Sequence, residues 1–534
     1  MGQSKRDVDV VVVGAGFAGL YMLHRARSQG LTAQVFEAGD GVGGTWYWNR
    51  YPGARCDVES MEYSFGFDED LQQEWEWTER YAPQPEILTY ANHVADRFDL
   101  RRDIQLSTRV TAASFDEDTD RWQVSTDQGD DVQARFLVMA TGCLSAANTP
   151  SIPGAESFEG PTFHTGRWPH EPVDFTGQRV GIIGTGSSAV QSIPIIAEQA
   201  AELTVFQRTP TFTVPAWNEP LDPVEVKEIK SEYGRFRAEN QLMPSAFGSR
   251  LERADRSAHE VTEVERRTEY ERRWARGGLP FLGAFNDLLL DKAANDTAAE
   301  FVREKLHEIV RDPDTARKLT PDQVVGCKRL CVDTGYWATF NKPHVHLVDL
   351  RESPIESITP TGIQTTAAHH DLDMLIYATG FDAMTGALRR IDIRGRGGRT
   401  LQDAWAAGPR TYLGLGVEGF PNLFTITGPG SPSVLTNMLV SIQQHVEWIA
   451  ECIGYLDERG HATIEPTIEA QDGWVDFVNT VAGFTLFPTC NSWYLGANVP
   501  GKTRVFMPLP GFPTYVKECD RVAENGYDGF VLAG

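Results

Sequence analysis

Val8–Gly19 reads VDVVVVGAGFAG, and the fold class follows from these twelve residues. The β-branched run Val8 to Val13 marks a strand buried on both faces of a parallel sheet. It passes directly into Gly14-Ala15-Gly16-Phe17-Ala18-Gly19 and then into a helical stretch, LYMLHRARSQG. In such a strand–turn–helix unit each glycine has a task. Gly14 makes the tight turn, Gly16 lets the backbone approach a pyrophosphate, and Gly19 lets helix and strand pack closely. The pyrophosphate then rests on the free amides of the helix N-terminus. A second strand, Thr32 to Phe36, ends in Glu37, 23 positions after Gly14. A carboxylate there accepts hydrogen bonds from a ribose 2′-hydroxyl. Strand, glycines, helix, strand and acid in register predict a dinucleotide-binding domain of the α/β class.

The unit recurs. Arg179 to Ile183 is a second buried strand, followed by Gly184-Thr185-Gly186-Ser187-Ser188-Ala189 and the helical VQSIPIIAEQA. Alanine at the third glycine position still permits close packing. The next strand, Leu203 to Phe206, ends in Gln207-Arg208-Thr209 in place of an acid. Arg208 stands 24 positions after Gly184, nearly the register of Glu37. A carboxylate would repel a ribose 2′-phosphate, whereas an arginine clamps it bidentately. The first site therefore suits FAD and the second NADPH.

Two further strands, ending Phe136–Gly142 and Asp371–Gly380, both finish in Ala-Thr-Gly. This internal echo predicts two Rossmann-like domains, the second inserted in the first. The expected division is an FAD-binding part over 1–145, an NADPH-binding domain over 146–384, and the rest of the FAD domain over 385–534. Residues 219–321 are rich in Arg, Glu, Lys and Ala, and are expected to form a helical insertion with solvated charged faces.

The length of 534 residues is too great for one ordinary core and fits this multidomain reading. A net charge of −25 argues against nucleic acid as a partner, because its binders carry a basic footprint. No apolar run approaches the roughly 20 residues a membrane helix needs. The start leaves no room for a signal peptide, so the expectation is a cytoplasmic protein without a membrane association, a monomer or weak oligomer. The seven cysteines are scattered; Cys327 and Cys331, the closest pair, are expected to be free thiols, and no metal site is expected.

Two more runs are strongly patterned. Gly39–Asp57 reads GDGVGGTWYWNRYPGARCD, whose glycines, aromatics and Pro-Gly turn predict a loop over a cofactor in preference to a strand or helix. Phe158–Pro169, between the two glycine motifs, reads FEGPTFHTGRWP, with Phe158, Gly160, His164 and Trp168 in the skeleton F-x-G-x-x-x-H-x-x-x-W. This skeleton resembles the signature of the type I Baeyer–Villiger monooxygenases. Gly44, Trp46, Tyr51, Pro52, Gly53 and Asp57 match a second pattern of that family, G-x-W-x-x-x-x-Y-P-G-x-x-x-D. The runs RCDVES, CKRLCVDTGYW, GPGSPS and NSWYLGANVPGK are similar to its phenylacetone and steroid monooxygenase branch. A flavin disulfide reductase would carry a cysteine pair near residue 56, where only Cys56 is present.

The resemblance implies an enzyme holding FAD and NADPH that inserts oxygen beside a ketone carbonyl. NADPH reduces FAD, O₂ adds to give a C4a-peroxyflavin, and the peroxide attacks the ketone; rearrangement yields an ester or lactone, with sulfoxidation as a side activity. By the same resemblance Arg329 is the catalytic arginine, Asp57 orients it, and Trp493 sits on a mobile gating loop over the nicotinamide. Gly44, Thr45, Trp46 and Tyr63 lie at the flavin. Thr185, Gly186, Ser187, Ser188 and Thr209 lie at NADPH, with Lys328 as a second 2′-phosphate contact beside Arg208. His164 reads as a structural or hinge residue, with Trp168 part of the same joint. The substrate pocket is expected from Thr427–Asn437 and from Trp493 onwards. The alternatives are a flavin-containing N- or S-monooxygenase, which needs no Arg329, and a flavoprotein redox sensor without turnover.

Overall fold

The chain's computed structural model describes residues 6–251, 254–501 and 511–534. Two parallel-type sheets organise it. In the first, Arg6–Val13 lies between Ala33–Phe36 and Asp131–Met139, parallel to both. Its valines are buried on both faces, as the β-branched run requires. Ile104–Gln105 extends the sheet beyond Ala33–Phe36. On the other side the antiparallel strands Val110–Asp116 and Arg121–Thr126 continue it. Two short strands from beyond residue 385, Asp392–Arg394 and Leu423–Thr425, return to this same sheet.

The second sheet is wholly parallel, in the order Val345–Asp349, Glu202–Gln207, Arg179–Ile183, Met374–Tyr377, Thr162–His164. The strand from the Phe158–Pro169 run is thus its edge. The two glycine turns are built alike. A Cβ on Gly14 would stand 2.6 Å from the Ala140 carbonyl oxygen, and one on Gly184 would stand 2.4 Å from that of Ala378. Both have φ above +100°, so each turn is closed to other residues by conformation and by the Ala-Thr-Gly strand beside it.

Phe17–Ser28 packs between the first sheet and the long helix Met438–Arg459. The latter starts where the Asn437 side chain accepts from the Leu439 amide at 3.2 Å, and ends at Gly460 with φ +73°. Residues 219–321 form the helices Pro223–Ser231, Tyr233–Gln241, Glu263–Arg276, Lys292–Ile309 and Pro313–Leu319. Arg276 anchors them by reaching Glu59 at 2.8 Å. Among the described residues no helix is long and apolar enough to cross a membrane, and no His/Cys/Asp/Glu cluster could hold a metal.

Two expectations need correction. The Gly39–Asp57 loop contains one helical turn, Thr45–Trp48, which buries Trp46 and Tyr47 and is closed by Asn49 donating to the Thr45 carbonyl at 2.9 Å. Cys327 is not a free thiol: it is disulfide-bonded to Cys490, 163 residues later, with Cα atoms 5.9 Å apart. The partner is distant in sequence, Cys490 being brought in from the C-terminal segment, while Cys331 lies on the strand Cys331–Asp333 and is a free thiol as expected. Cys331 and the remaining four cysteines are free and buried.

Candidate active site

A cavity of about 700 Å³ opens between the two sheets. Gly14, Gly16, Glu37, Gly44, Thr45, Trp46, Asp57 and Tyr63 line it from the first unit, with Ser187, Arg329 and Trp493 joining from the others. Its shape fits a dinucleotide at the first glycine turn. Gly16 and Gly44 face each other so closely that a Cβ on Gly44 would lie 2.8 Å from the Gly16 Cα. Beneath them a Cβ on Gly19 would meet the Gly14 carbonyl oxygen at 1.8 Å, so the helix can reach the turn only as glycine. Glu37 is buried, which raises its carboxyl above the usual range. Its oxygens accept from the Ala15 amide at 2.7 Å and the Gly39 amide at 2.8 Å. Each oxygen keeps a second lone pair for a ribose hydroxyl. Trp46 donates to the Tyr63 hydroxyl at 3.1 Å, fixing two aromatic walls.

Across the cavity Arg329 and Asp57 meet as a bidentate ion pair, Nε to Oδ2 at 2.7 Å and Nη2 to Oδ1 at 2.8 Å. Arg329 Nη1 donates to the Val434 carbonyl at 3.1 Å. Burial opposes the guanidinium charge, but the Asp57 carboxylate more than offsets it, and the Arg329 pKa is raised. Three of its five N–H donors are thereby engaged. The Tyr494 phenol lies beside the guanidinium and is pushed up to about 12, mainly by burial. Trp493 is half-buried in the turn Trp493–Leu495, its ring 4.3 Å from that of Tyr494. Of the pocket segment expected from Trp493 onwards, residues 502–510 lie outside the described residues.

The second glycine turn forms a separate, adjoining group. A Cβ on Gly186 would meet nothing within 4 Å, so the glycine leaves open space at the helix N-terminus. Thr185 Oγ1 donates to the Thr209 carbonyl at 2.7 Å, tying the turn to the end of the next strand. Ser187 Oγ lies 3.3 Å from Cys331 Sγ, and Ser188 Oγ lies 3.0 Å from Thr165 Oγ1. Lys328, half-buried, has its ammonium pKa lowered by burial and by the neighbouring Arg208 charge. Asp322 offsets part of this repulsion, and two neighbouring cations of this kind suit a phosphate dianion.

The predicted residues thus fall into two adjoining groups, one at each glycine turn, with Arg329 and Asp57 between them. The sequence reading passed over several lining residues: Arg55, Arg109, Cys143, Gly166, Arg167, Gln191 and Met438. Of these, Arg55, Gly166 and Arg167 lay within runs already singled out, and their place there was the available signal. His164 is not among the residues lining the cavity. Its Nδ1 accepts from the Gly166 amide at 2.9 Å, Nε2 lies 3.3 Å from the Asn148 carbonyl, and burial lowers its pKa. Trp168 is buried 5.2 Å from Phe163.

The pyridine nucleotide-disulphide oxidoreductase family matches residues 11–273. A solved structure described as oxidized steroid monooxygenase bound to NADP is 56% identical, covers 99% of both chains and superposes with a TM-score of 0.94. A Baeyer–Villiger monooxygenase of Pseudooceanicola batsensis is 43% identical over 98% of this chain and 96% of its own. A phenazine N-monooxygenase, PhzNO1 of Lysobacter antibioticus, is 42% identical over 99% of this chain and 97% of its own. With both glycine turns, the Asp57–Arg329 pair and this full-length likeness together, the chain belongs to the type I Baeyer–Villiger monooxygenases, enzymes that use FAD and NADPH.

Proposed function

We propose that this chain oxidises a ketone to an ester or lactone with NADPH and O₂, and that Arg329 is its central catalytic residue. FAD lies on the first glycine turn, within a domain made of residues 1–145 and 385–534. NADPH lies on the second, within 146–384, its 2′-phosphate between Arg208 and Lys328. The bound cofactors supply hydride transfer and oxygen activation, while the chain's own side chains orient the reacting groups, stabilise charge and keep water out.

Arg329 puts a permanent positive charge where negative charge develops on the ketone oxygen, in a cleft that leaves its side chain only 19% exposed, where such a charge acts more strongly than in water. Asp57 fixes the guanidinium plane by its two hydrogen bonds and leaves other donors toward the cavity. Trp493 and Tyr494 line the same cavity, where their rings would limit entry of water. The observation carrying this reading is the bidentate Asp57–Arg329 pair on the cavity wall. The five free buried cysteines accord with a cytoplasmic enzyme, whereas the Cys327–Cys490 bridge is of a kind rare in that compartment.

The test is Arg329→Ala assayed with phenylacetone, cyclohexanone and a steroid ketone, with product analysis. It should retain FAD and still be reduced by NADPH, yet form no ester; substantial ester would remove Arg329 from the chemistry. A second reading, N-oxygenation, is favoured by the likeness to the phenazine N-monooxygenase. An N-oxide from an aromatic heterocycle, formed undiminished by Arg329→Ala, would favour it.

A further inference from the structure

Helix Ser187–Ala197, which begins at the second glycine turn, lies against the turn 51–55 of the first unit, and one side chain fastens the two. Gln191 is only 7% exposed. Its Oε1 accepts from the Tyr51 hydroxyl at 2.8 Å and from the Arg55 amide at 3.4 Å, and its Nε2 donates to the Arg55 carbonyl at 3.1 Å. The backbones are equally close. A Cβ on Gly53, whose φ is +79°, would stand 2.3 Å from the Gln191 carbonyl oxygen. The polar capacity of the amide is therefore spent on the far unit and not on its own helix.

Two residues beyond Arg55 stands Asp57, which grips Arg329. Arg329 is referred to the same helix from the other side, since Cys331, two residues on, has its Sγ 3.3 Å from Ser187 Oγ. Both members of the ion pair thus take their position from one helix, Asp57 through Gln191 and Arg329 through Ser187. Tyr51, Arg55, Ser187 and Gln191 all face the cavity that holds the pair.

We propose that Gln191 is a positioning residue that sets Asp57, and through it Arg329, according to where the NADPH-side helix stands. The pair then travels with the NADPH unit and is in register for oxygen insertion only when that unit is seated. This rests on Arg329 being the central catalytic residue.

Gln191→Leu keeps the volume and removes all three hydrogen bonds; Tyr51→Phe removes only the 2.8 Å bond and guards against a misfolded first variant. In the holoenzyme with phenylacetone, Gln191→Leu should reduce its flavin within about threefold of the parent rate. Ester formed per NADPH should fall at least fivefold, with hydrogen peroxide rising in its place, and Tyr51→Phe should fall about twofold. Independently of turnover, amide hydrogen exchange over 51–58 should slow on adding NADP⁺ to the parent and be insensitive to it in Gln191→Leu. Unchanged ester yield, or exchange that still responds to NADP⁺, would overturn the proposal and leave Gln191 as packing. Arg329→Ala in the same assay separates the two readings. Its failure to abolish ester would remove the Arg329 role, whereas loss of ester there with a fully coupled Gln191→Leu overturns only the coupling.

Discussion

Replacing Asp57 by asparagine keeps the shape of the side chain and one acceptor, and removes the charge together with one of two charge-assisted hydrogen bonds to Arg329. Breaking a fully buried pair costs about 3–5 kcal/mol, most of it the isolation of the partner. Here the Arg329 and Asp57 side chains keep 19% and 25% exposure, and asparagine retains one bond, so the expected loss is smaller, about 2–3 kcal/mol. For a unit of this size that lowers the melting midpoint by about 3–5 °C, read from flavin fluorescence on heating. The catalytic effect should be larger. A guanidinium held by one neutral acceptor no longer has its plane fixed, and a misplacement of about 1 Å can cost about 100-fold. Stopped-flow reduction by NADPH should stay within a few-fold, because it does not involve Arg329, while ester per NADPH falls about 10- to 100-fold. A melt lowered by this amount with parental ester yield would show that the pair is only structural. No change in either would mean that Asp57 does not hold Arg329.

Gly19→Ala puts a methyl group 1.8 Å from the Gly14 carbonyl oxygen, so the purified protein should carry less than about a tenth of the parent's FAD by absorbance; full flavin content would refute the packing argument. Arg208→Ala should raise the KM for NADPH at least tenfold and that for NADH less than twofold, and equal effects would remove the 2′-phosphate contact. His445, fully buried, accepts from the Thr427 amide at 2.9 Å, and burial holds its pKa down to about 3. The unfolded chain binds a proton near pH 6.5 that the folded chain refuses, so stability is lost as pH falls below 6.5, by about 2 kcal/mol at pH 5. Thermal melts of His445→Gln should lose correspondingly less between pH 7 and 5; equal losses would refute this.

What could be read from the chain was whatever the local backbone demands. Gly14, Gly19 and Gly184 stand where a side chain would strike backbone, and that requirement is written in the spacing itself. Glu37 and Arg208 follow because they terminate strands whose register is set by those turns. The helical insertion was visible in composition. Long-range pairing was not. Asp57 and Arg329 are 272 positions apart, and their pairing was expected only through family likeness. Gln191 looks like an ordinary polar residue of the helical stretch VQSIP, because its meaning depends on a turn 136 residues earlier. Cys490 likewise gave no sign of Cys327. Local sterics are legible in one dimension, and contacts made by packing one unit on another are not.

The run Phe158–Pro169, which most narrowly indicated the family, is assigned no step on the substrate in the proposed function, and its hydrogen bonds explain why it is nonetheless so tightly patterned. The Gly166 amide donates to His164 Nδ1, so that nitrogen must carry a lone pair and the ring proton sits on Nε2, facing the Asn148 carbonyl. Protonating the ring would cost the Gly166 bond, and burial already disfavours it, so the imidazole works as a neutral spacer and not as an acid. Thr379 Oγ1 donates to the same Asn148 carbonyl at 2.5 Å, which brings the second Ala-Thr-Gly strand to that point. Gly160 is pressed on the Asp373 carbonyl and Gly166 on the Phe381 ring, where a Cβ would lie 2.2 Å and 2.6 Å away. Each constrained position therefore fixes the edge of the second sheet. The segment it delivers, Gly166-Arg167, forms part of the cavity wall that also carries Asp57 and Arg329. A joint that must hold one cofactor unit against another constrains more neighbouring residues than a single catalytic side chain does.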